Sequence, residues 1–474
     1  MGHMGNPAAV TPNLDRAAET DFVSFRNAFC QNPVCTPSRC SFMTGWYPHT
    51  RGHRTMFHML QPHEPMLLKI LKDAGYFVWW GGKNDVVPGQ YGYEAYCDVK
   101  YKPEDTPENP IRRNLHAYPD WRGAPDSDTF YSFYFGRVEN TYNTPYVRDN
   151  DWGMVEGAIE QIRNRPADQP LCIYLPLSYP HPPYAVEDPW YSMIDPSAIP
   201  PRAPTPGDWE GKPSLLKGIY EGQGMHDWTE ERWRELRRTY YGMCARVDTQ
   251  FGMVLDALRE AGIYDETAVF FFSDHGDFTG DYGLVEKTQN TFEDCLTHVP
   301  LLIKPPKNTP AQPRVSDALV ELVDFPATVY DLTGIEPGYT HFGQSLLPLI
   351  AGETDSHRDA VFCQGGRLRD EEQAMEKLRN LTPEFLYWPR LKWQQADDPR
   401  YHTKATMCRT TVYKYVHRLY ESDELYDLRA DPQEMHNRIH DPALNAVLAE
   451  LKARLMQFYL ETSDVVPVTL DNRS

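Results

Sequence analysis

The sequence predicts an α/β fold: a mostly parallel sheet flanked by helices, with a smaller α+β domain at the carboxyl end. Three observations carry this. Short apolar runs stop abruptly at polar or charged residues. Amphipathic helical stretches lie between those runs. After about residue 365 the texture of the chain changes.

The elements follow in chain order. A helix is expected from Pro65 to Ala74, with Leu67, Leu68, Ile70 and Leu71 on it and Gly75 placed to close it. Residues 76–80 are apolar and aromatic and run into Gly82, Lys83, Asn84 and Asp85. Residues 171–175 run towards Ser178 and His181, and residues 267–272 run into Ser273, Asp274, His275 and Gly276. Runs of this length and composition read as buried strands. Open α/β sheets bind ligands beyond the carboxyl ends of their strands, so Lys83, His181, Asp274 and His275 would share one rim. Thr229 caps a long helix with Glu230 and Glu231 in its first turn. Its stripe of Trp233, Leu236, Tyr240, Cys244, Val247, Phe251, Val254 and Leu258 recurs at three- and four-residue steps and ends before Gly262. Helices alternating with buried strands make α/β layers.

A large domain, 1–365, would therefore carry the site, and a small domain, 366–474, would close one side of it. In the small domain Arg367–Arg379 reads as a charged helix, Thr406–Tyr420 as a strand or hairpin, Glu424–Leu428 as a further strand, and Pro442–Glu461 as a last helix.

The 474 residues are enough for a well-buried core. Hydrophobic residues make up 41% and charged residues 24%, which excludes a disordered or collagen-like chain. The longest apolar stretches fall far short of the ~20 residues of a membrane span, so no membrane partner is expected. With 47 basic and 67 acidic residues the net charge is −20, and no basic stripe offers a nucleic-acid surface. The nine cysteines are dispersed, without CxxC pairs, which fits reduced thiols and a cytoplasmic location. Met1-Gly2-His3-Met4 lacks the charged and apolar regions of a secretory signal.

The densest chemical signal is Cys35-Thr36-Pro37-Ser38-Arg39. Pro37 suits the first turn of a helix, which puts Cys35 at a helix N-terminus, where unpaired amides favour an anion. A buried structural cysteine before a helix is the plainer alternative. Taken singly, Lys83 and Lys287 read more often as surface lysines, and His181 more often as a loop residue.

The pentapeptide resembles the C-x-P-S-R signature of type I sulfatases, whose cysteine is oxidised to formylglycine. The resemblance continues through Thr11-Pro12-Asn13-Leu14-Asp15, Thr44-Gly45, Tyr47-Pro48, Gly82-Lys83, Pro180-His181-Pro182 and Ser273-Asp274-His275-Gly276. Beyond these it runs through Asp281-Tyr282-Gly283 to Lys287, and to Glu424–Leu428 with Asp431-Pro432. It implies an alkaline-phosphatase-like fold and a sulfuric ester hydrolase. It also implies a partner enzyme that generates the formylglycine at Cys35. By the same resemblance Arg39 orients the hydrated aldehyde, Lys83 and Lys287 hold sulfate oxygens, and His181 hydrogen-bonds the sulfate. Asp274, His275 and residue 35 resemble metal ligands; calcium is the family's usual ion, with manganese or magnesium as alternatives.

Two departures stand out. The family begins with a strand ending in acidic metal ligands, whereas the ten residues before Thr11 hold no Asp or Glu. The resemblance therefore predicts either a sequence that starts inside the family's domain or a chain without a working metal site. In addition, Asp85 stands where the family usually has histidine after Gly-Lys. Asp85 is then either the base that releases sulfate or a substrate contact.

The expected substrate is a small or short sulfated carbohydrate, with Tyr179, Tyr184, Trp190 and Tyr191 available for stacking on rings. The rival readings are a phosphonate monoester or phosphodiester hydrolase on the same scaffold, and a non-catalytic binding protein.

Overall fold

The apolar runs do form strands in the computed structural model, which describes residues 1–107, 109–112, 119–140, 146–377 and 381–473. They are divided between two central sheets rather than joined in one. The first holds β1 (Val23–Phe29), β7 (Val269–Phe272), β8 (His298–Val299), β9 (Leu301–Lys304) and β10 (Arg314–Glu321), in the order β10-β1-β9-β7 with β8 on β1. The second holds β2 (Phe77–Gly81), β3 (Val99–Tyr101) and β5 (Leu171–Tyr174), in the order β3-β2-β5. β4 (Tyr134–Val138) and β6 (Tyr184–Glu187) form a separate parallel pair.

The expectation of a mostly parallel sheet needs one correction. β1 and β10 are parallel, as are all three strands of the second sheet, but β9 runs antiparallel to both β1 and β7. The cause is the connection. A parallel return needs a crossover of a dozen or more residues, usually a helix. After β7 the chain instead spends residues 273–297 building the rim and drops straight into β8 and β9, with one four-residue helix, Asp294–Thr297.

Helices cover the sheets: α1 (Pro12–Thr20), α2 (Cys35–Thr44), α3 (Leu67–Asp73), α4 (Asn150–Arg163), α5 (Ser214–Gln223), α6 (Glu230–Glu260) and α7 (Asp324–Thr333). α2 is buried at every position, so it is a core helix and not an amphipathic one. Its Phe42 and Met43 join Val23, Phe25 and Ala28 of β1 in the main core. The Thr229 hydroxyl accepts from the Arg232 amide at 3.4 Å and caps α6. Along α6 the apolar stripe is deeply buried at Trp233, Leu236 and Leu258. Tyr240, Cys244, Val247, Phe251 and Val254 are only half-buried, because they line a cavity between β5 and β7.

The carboxyl-terminal region is an antiparallel sheet of β11 (Val361–Gly365), β12 (Ala405–Arg409), β13 (Tyr413–Arg418) and β14 (Glu424–Asp427). It draws in residues 361–365, on the other side of the boundary expected at 365. Phe458 of α9 (Asn445–Thr462) stacks on Phe362 across it. The helix expected over Arg367–Arg379 is absent among the described residues; only a short 3₁₀ turn, Glu372–Met375, forms, and residues 378–380 lie outside the description. The Arg367 guanidinium donates to the carbonyls of Leu368, Arg369 and Ala396, which stabilises a non-helical path. α8 (Trp388–Gln394) follows and packs against α5.

Candidate active site

Cys35 is the first residue of α2 and is 2% exposed. The Asn32 side chain accepts from the Val34 amide at 2.9 Å and fixes the approach to the helix, and Gly45, at φ 69°, ends it. The Cys35 thiol lies 3.2 Å from Lys83 Nζ and 3.2 Å from His275 Nε2. Burial pushes this thiol up, but Lys83, His275 and Lys287 together outweigh burial and bring it down to about 6. The site is thus built to hold negative charge on residue 35. The sulfur occupies the place that the oxygens of a hydrated formylglycine would take.

β2 delivers Lys83 through Gly82. A side chain at Gly82, at φ 96°, would stand 2.2 Å from the Pro176 carbonyl oxygen, so the turn that aims Lys83 inward requires glycine. Asp85 pairs with Lys83 at 2.8 Å. It therefore reaches residue 35 through the lysine.

Arg39, one turn along α2, donates from Nε to Asp274 Oδ2 at 2.8 Å. Burial pushes the Asp274 carboxyl up, but Arg39, His275 and Lys83 hold it well below the ordinary carboxylate range. Arg39 also lies 3.4 Å from the Tyr174 hydroxyl at the end of β5.

His181 and Lys287 meet at 2.8 Å. His181 Nδ1 faces the Pro182 carbonyl at 2.7 Å, which can only accept. The proton therefore sits on Nδ1, and Nε2 accepts from the Lys287 ammonium. Burial, with Lys287 and Lys83, drives His181 well below its ordinary range and keeps it neutral. Both ring nitrogens of His181 are thus engaged within the protein, one of them with Lys287.

Four groups near Lys287 escaped the sequence reading. Glu286 accepts from Lys287 at 2.7 Å and pairs with Arg390 of α8 at 3.2 Å. Tyr387 lies beside Arg390, 5.5 Å from ring centroid to guanidinium. Asp277 accepts from the Tyr184 hydroxyl at 2.5 Å and from the Thr279 amide at 2.9 Å; burial is the main cause that lifts it to about 7. Glu286 and Asp277 were signalled only by adjacency to Lys287 and to the Asp274-His275-Gly276 run. Arg390 and Tyr387 come from a distant segment with no local signal.

The expected ring-stacking residues do not form a binding wall. Tyr184 and Trp190 are 0% and 5% exposed. Tyr179 packs on the Arg246 guanidinium, and the Tyr191 hydroxyl bonds Glu235. These rings belong to a second core around α6.

Cys35, Asp274 and His275 bring one ligand atom each within 4.8 Å of one another, a possible metal-holding group. As a calcium site it does not fit. Calcium takes 6–8 oxygen ligands. Here the donors are one carboxylate already bound to Arg39, one imidazole and one thiol, with the Lys83 ammonium 3.2 Å from the sulfur.

Comparison with known proteins agrees with this geometry. The sulfatase family model matches residues 1–335, and a model described as N-sulphoglucosamine sulphohydrolase, C-terminal, matches residues 376–461. Arylsulfatase K of Gallus gallus is 26% identical over 441 residues, covering 87% of this chain and 71% of that protein. Choline-sulfatase of Rhizobium meliloti is 26% identical, covering 91% and 78%. The crystal structure of the phosphonate monoester hydrolase of Agrobacterium radiobacter superposes with a TM-score of 0.72 at 23% identity, covering 98% of this chain and 93% of that one. With the family model spanning residues 1–335 and the fold in agreement, the chain belongs to the sulfatase family, sulfuric ester hydrolases of the alkaline-phosphatase-like fold.

Proposed function

We propose that this sulfatase hydrolyses the sulfate ester of a small or short sulfated carbohydrate, with a formylglycine made from Cys35 as nucleophile. The observation that carries the reading is the cluster of Lys83, Arg39, Lys287 and His275 around residue 35 at the head of α2. Tyr387 and Arg390 support the carbohydrate. They border the cluster from the segment that matches the sulphohydrolase model.

The chain's own groups account for the steps. One hydroxyl of the hydrated aldehyde attacks sulfur and gives its proton to His275 Nε2, which lies 3.2 Å from the residue-35 sulfur. Lys83 and Lys287 stabilise the negative charge that builds on the transferring oxygens, aided by the amides of α2. The ester oxygen leaves with a proton from the Lys287 ammonium, which His181 aims. Residue 35 then carries a covalent sulfate ester. Loss of the proton from the second hydroxyl reforms the carbonyl and expels sulfate, so that one hard step becomes two. Asp85 takes up that proton by relay: Lys83 passes a proton to Asp85 and accepts the one from the hydroxyl.

The test is co-expression with a formylglycine-generating enzyme, followed by parallel kinetics on an aryl sulfate, a sulfated glucosamine and an aryl phosphonate monoester. Mass spectrometry of the Cys35 peptide confirms the aldehyde. The sulfated sugar should be turned over with the highest kcat/KM, and Cys35→Ala should abolish turnover without unfolding the chain. Preference for the phosphonate in an aldehyde-bearing enzyme would replace this reading with the phosphonate hydrolase one.

A further inference from the structure

Lys287 leaves the chain at a place where the backbone is held in an unfavoured shape. After Asp274 and His275 the chain doubles back over residues 277–286. The Phe278 amide donates to the Glu286 carbonyl at 3.0 Å, and the Gly280 amide to the Leu284 carbonyl at 2.8 Å. Glu286, the residue just before Lys287, has φ 68°. That is the left-handed region, which a residue with a side chain adopts when its surroundings impose it. Glycine would take this conformation without strain. Glutamate stands there instead, with its carboxylate between Lys287 and Arg390.

The Tyr184 hydroxyl bears directly on that residue. It accepts from the Glu286 amide at 3.0 Å and donates to Asp277 Oδ1 at 2.5 Å. The directions are fixed, because an amide can only donate and a phenol has one proton to give. Asp277 is itself anchored. Its amide donates to the Cys295 carbonyl at 3.0 Å, and its Oδ1 also accepts from the Thr279 amide at 2.9 Å. The hydroxyl thus joins the two ends of the doubled-back segment, residues 277 and 286. Tyr184 is fully buried at the head of β6, with its own amide on the Phe133 carbonyl at 2.7 Å, so it cannot swing away. His181, three residues earlier, meets the Lys287 ammonium at 2.8 Å. One short segment therefore holds the lysine at its backbone and at its ammonium.

We propose that Tyr184 is a positioning residue for Lys287. Its hydroxyl holds Glu286 in the left-handed conformation and so sets the direction from which the ammonium reaches the leaving oxygen, given the reading of Lys287 as the proton donor. As the bond from sulfur to that oxygen breaks, a proton passes from Lys287 Nζ to the oxygen, giving an alcohol and a neutral lysine. Without the hydroxyl, the Glu286 amide loses its buried acceptor. Residue 286 then relaxes out of the left-handed region, and the ammonium shifts. A displacement of about 1 Å costs about a hundredfold in rate. The lysine charge stays in the cluster, so an ester whose leaving oxygen needs no proton is largely spared.

The experiment uses the aldehyde-bearing enzyme and two sulfate esters. Nitrophenyl sulfate releases a weakly basic oxygen, and an O-sulfated glucosamine releases a strongly basic one. Tyr184→Phe keeps the ring and removes the hydroxyl. Its kcat/KM, which reports the first transfer, should fall about thirtyfold for the sugar ester and at most about threefold for nitrophenyl sulfate. A merely structural loss would lower both by the same factor. In the resting chain, hydrogen exchange at the Glu286 amide should quicken at least about tenfold, while the Gly280 amide changes little. Lys287→Ala is the reference. It should show the same split between the esters, and adding Tyr184→Phe to it should change the sugar rate by less than about twofold. Asp277→Ala, which takes away the hydroxyl's anchor, carries the same readouts should Tyr184→Phe not fold. The proposal is overturned if Lys287→Ala shows the split and the clamp variant lowers both esters alike. It is equally overturned if the two losses multiply in the double variant. No split in Lys287→Ala would remove the proton-donor reading itself, and the proposal with it.

Discussion

Replacing Glu286 with alanine removes the carboxylate that lies between two buried cations. Lys287 is 2.7 Å from it and Arg390 3.2 Å. Side-chain exposure is 3% for Glu286, 3% for Lys287 and 11% for Arg390. Water therefore cannot replace the lost partner, and removing one member of such a buried group costs about 3–5 kcal/mol. The pH dependence should change sign as well. For Lys287, burial is the largest influence and pushes its pKa down, but Glu286 and Cys35 pull it above the ordinary lysine value. A lysine raised on folding adds stability below its unfolded pKa of about 10.5 and loses it as pH rises through the folded value. Without Glu286, burial wins and the folded pKa drops below 10.5. Stability then rises with pH between the lowered value and about 10.5. Urea denaturation from about pH 7 to about pH 10 reads the loss and the rising profile of Glu286→Ala against a wild type that Lys287 leaves flat in that range. Glu286→Gln, which keeps an acceptor without the charge, should fall between them. A loss within about 0.5 kcal/mol of wild type, with a parallel pH profile, would refute the reasoning.

Three further outcomes are expected. Arg246 is 0% exposed and pairs with Asp149 at 3.0 Å and Glu187 at 3.1 Å, so Arg246→Met should cost about 3–5 kcal/mol in denaturant. Adding Glu187→Gln should recover about 2 kcal/mol of that loss, and simple additivity would contradict the pairing. Asp151 accepts from the amides of Ser178 and Tyr179, and burial, then Asp149, lifts it to about 6. A raised carboxyl loses stability as pH rises from its unfolded value through the folded one. Asp151→Asn should therefore flatten the fall in Tm between about pH 4 and pH 6, and an unchanged profile would count against it. In an enzyme carrying the aldehyde, Asp85→Asn should leave the first transfer fast and sulfate release slow, seen as a burst of leaving group before a low steady rate. An unchanged kcat without a burst would remove Asp85 from the role of base.

The sequence by itself determined the parts of this protein that depend on neighbours along the chain. Cys35 opens a helix because Pro37 and Asn32 act within a few residues of it. Lys83 points inward because Gly82 alone can make the turn after β2. The strands, the α6 cap and the run ending in Asp274 and His275 follow from local periodicity and turn chemistry. Tertiary structure decided what depends on groups far apart in sequence. His181 meets Lys287, 106 positions away in the numbering, while the Pro182 carbonyl holds its other nitrogen. Arg390 and Glu286, 104 positions apart in the numbering, meet only when α8 folds back over the site. Trp152, Tyr179 and Trp190 pack around Arg246, since a buried guanidinium needs partners that no local pattern announces. Periodicity also presented β5 and β7 as ordinary buried strands, whereas every residue of Leu171–Tyr174 and Val269–Phe272 is half-buried beside the cavity between them. Whether an apolar strand is buried depends on which chain lies against its edges. A hydrophobic run states only that it would be stabilised by burial, and the packing of the whole molecule decides whether a neighbour is there.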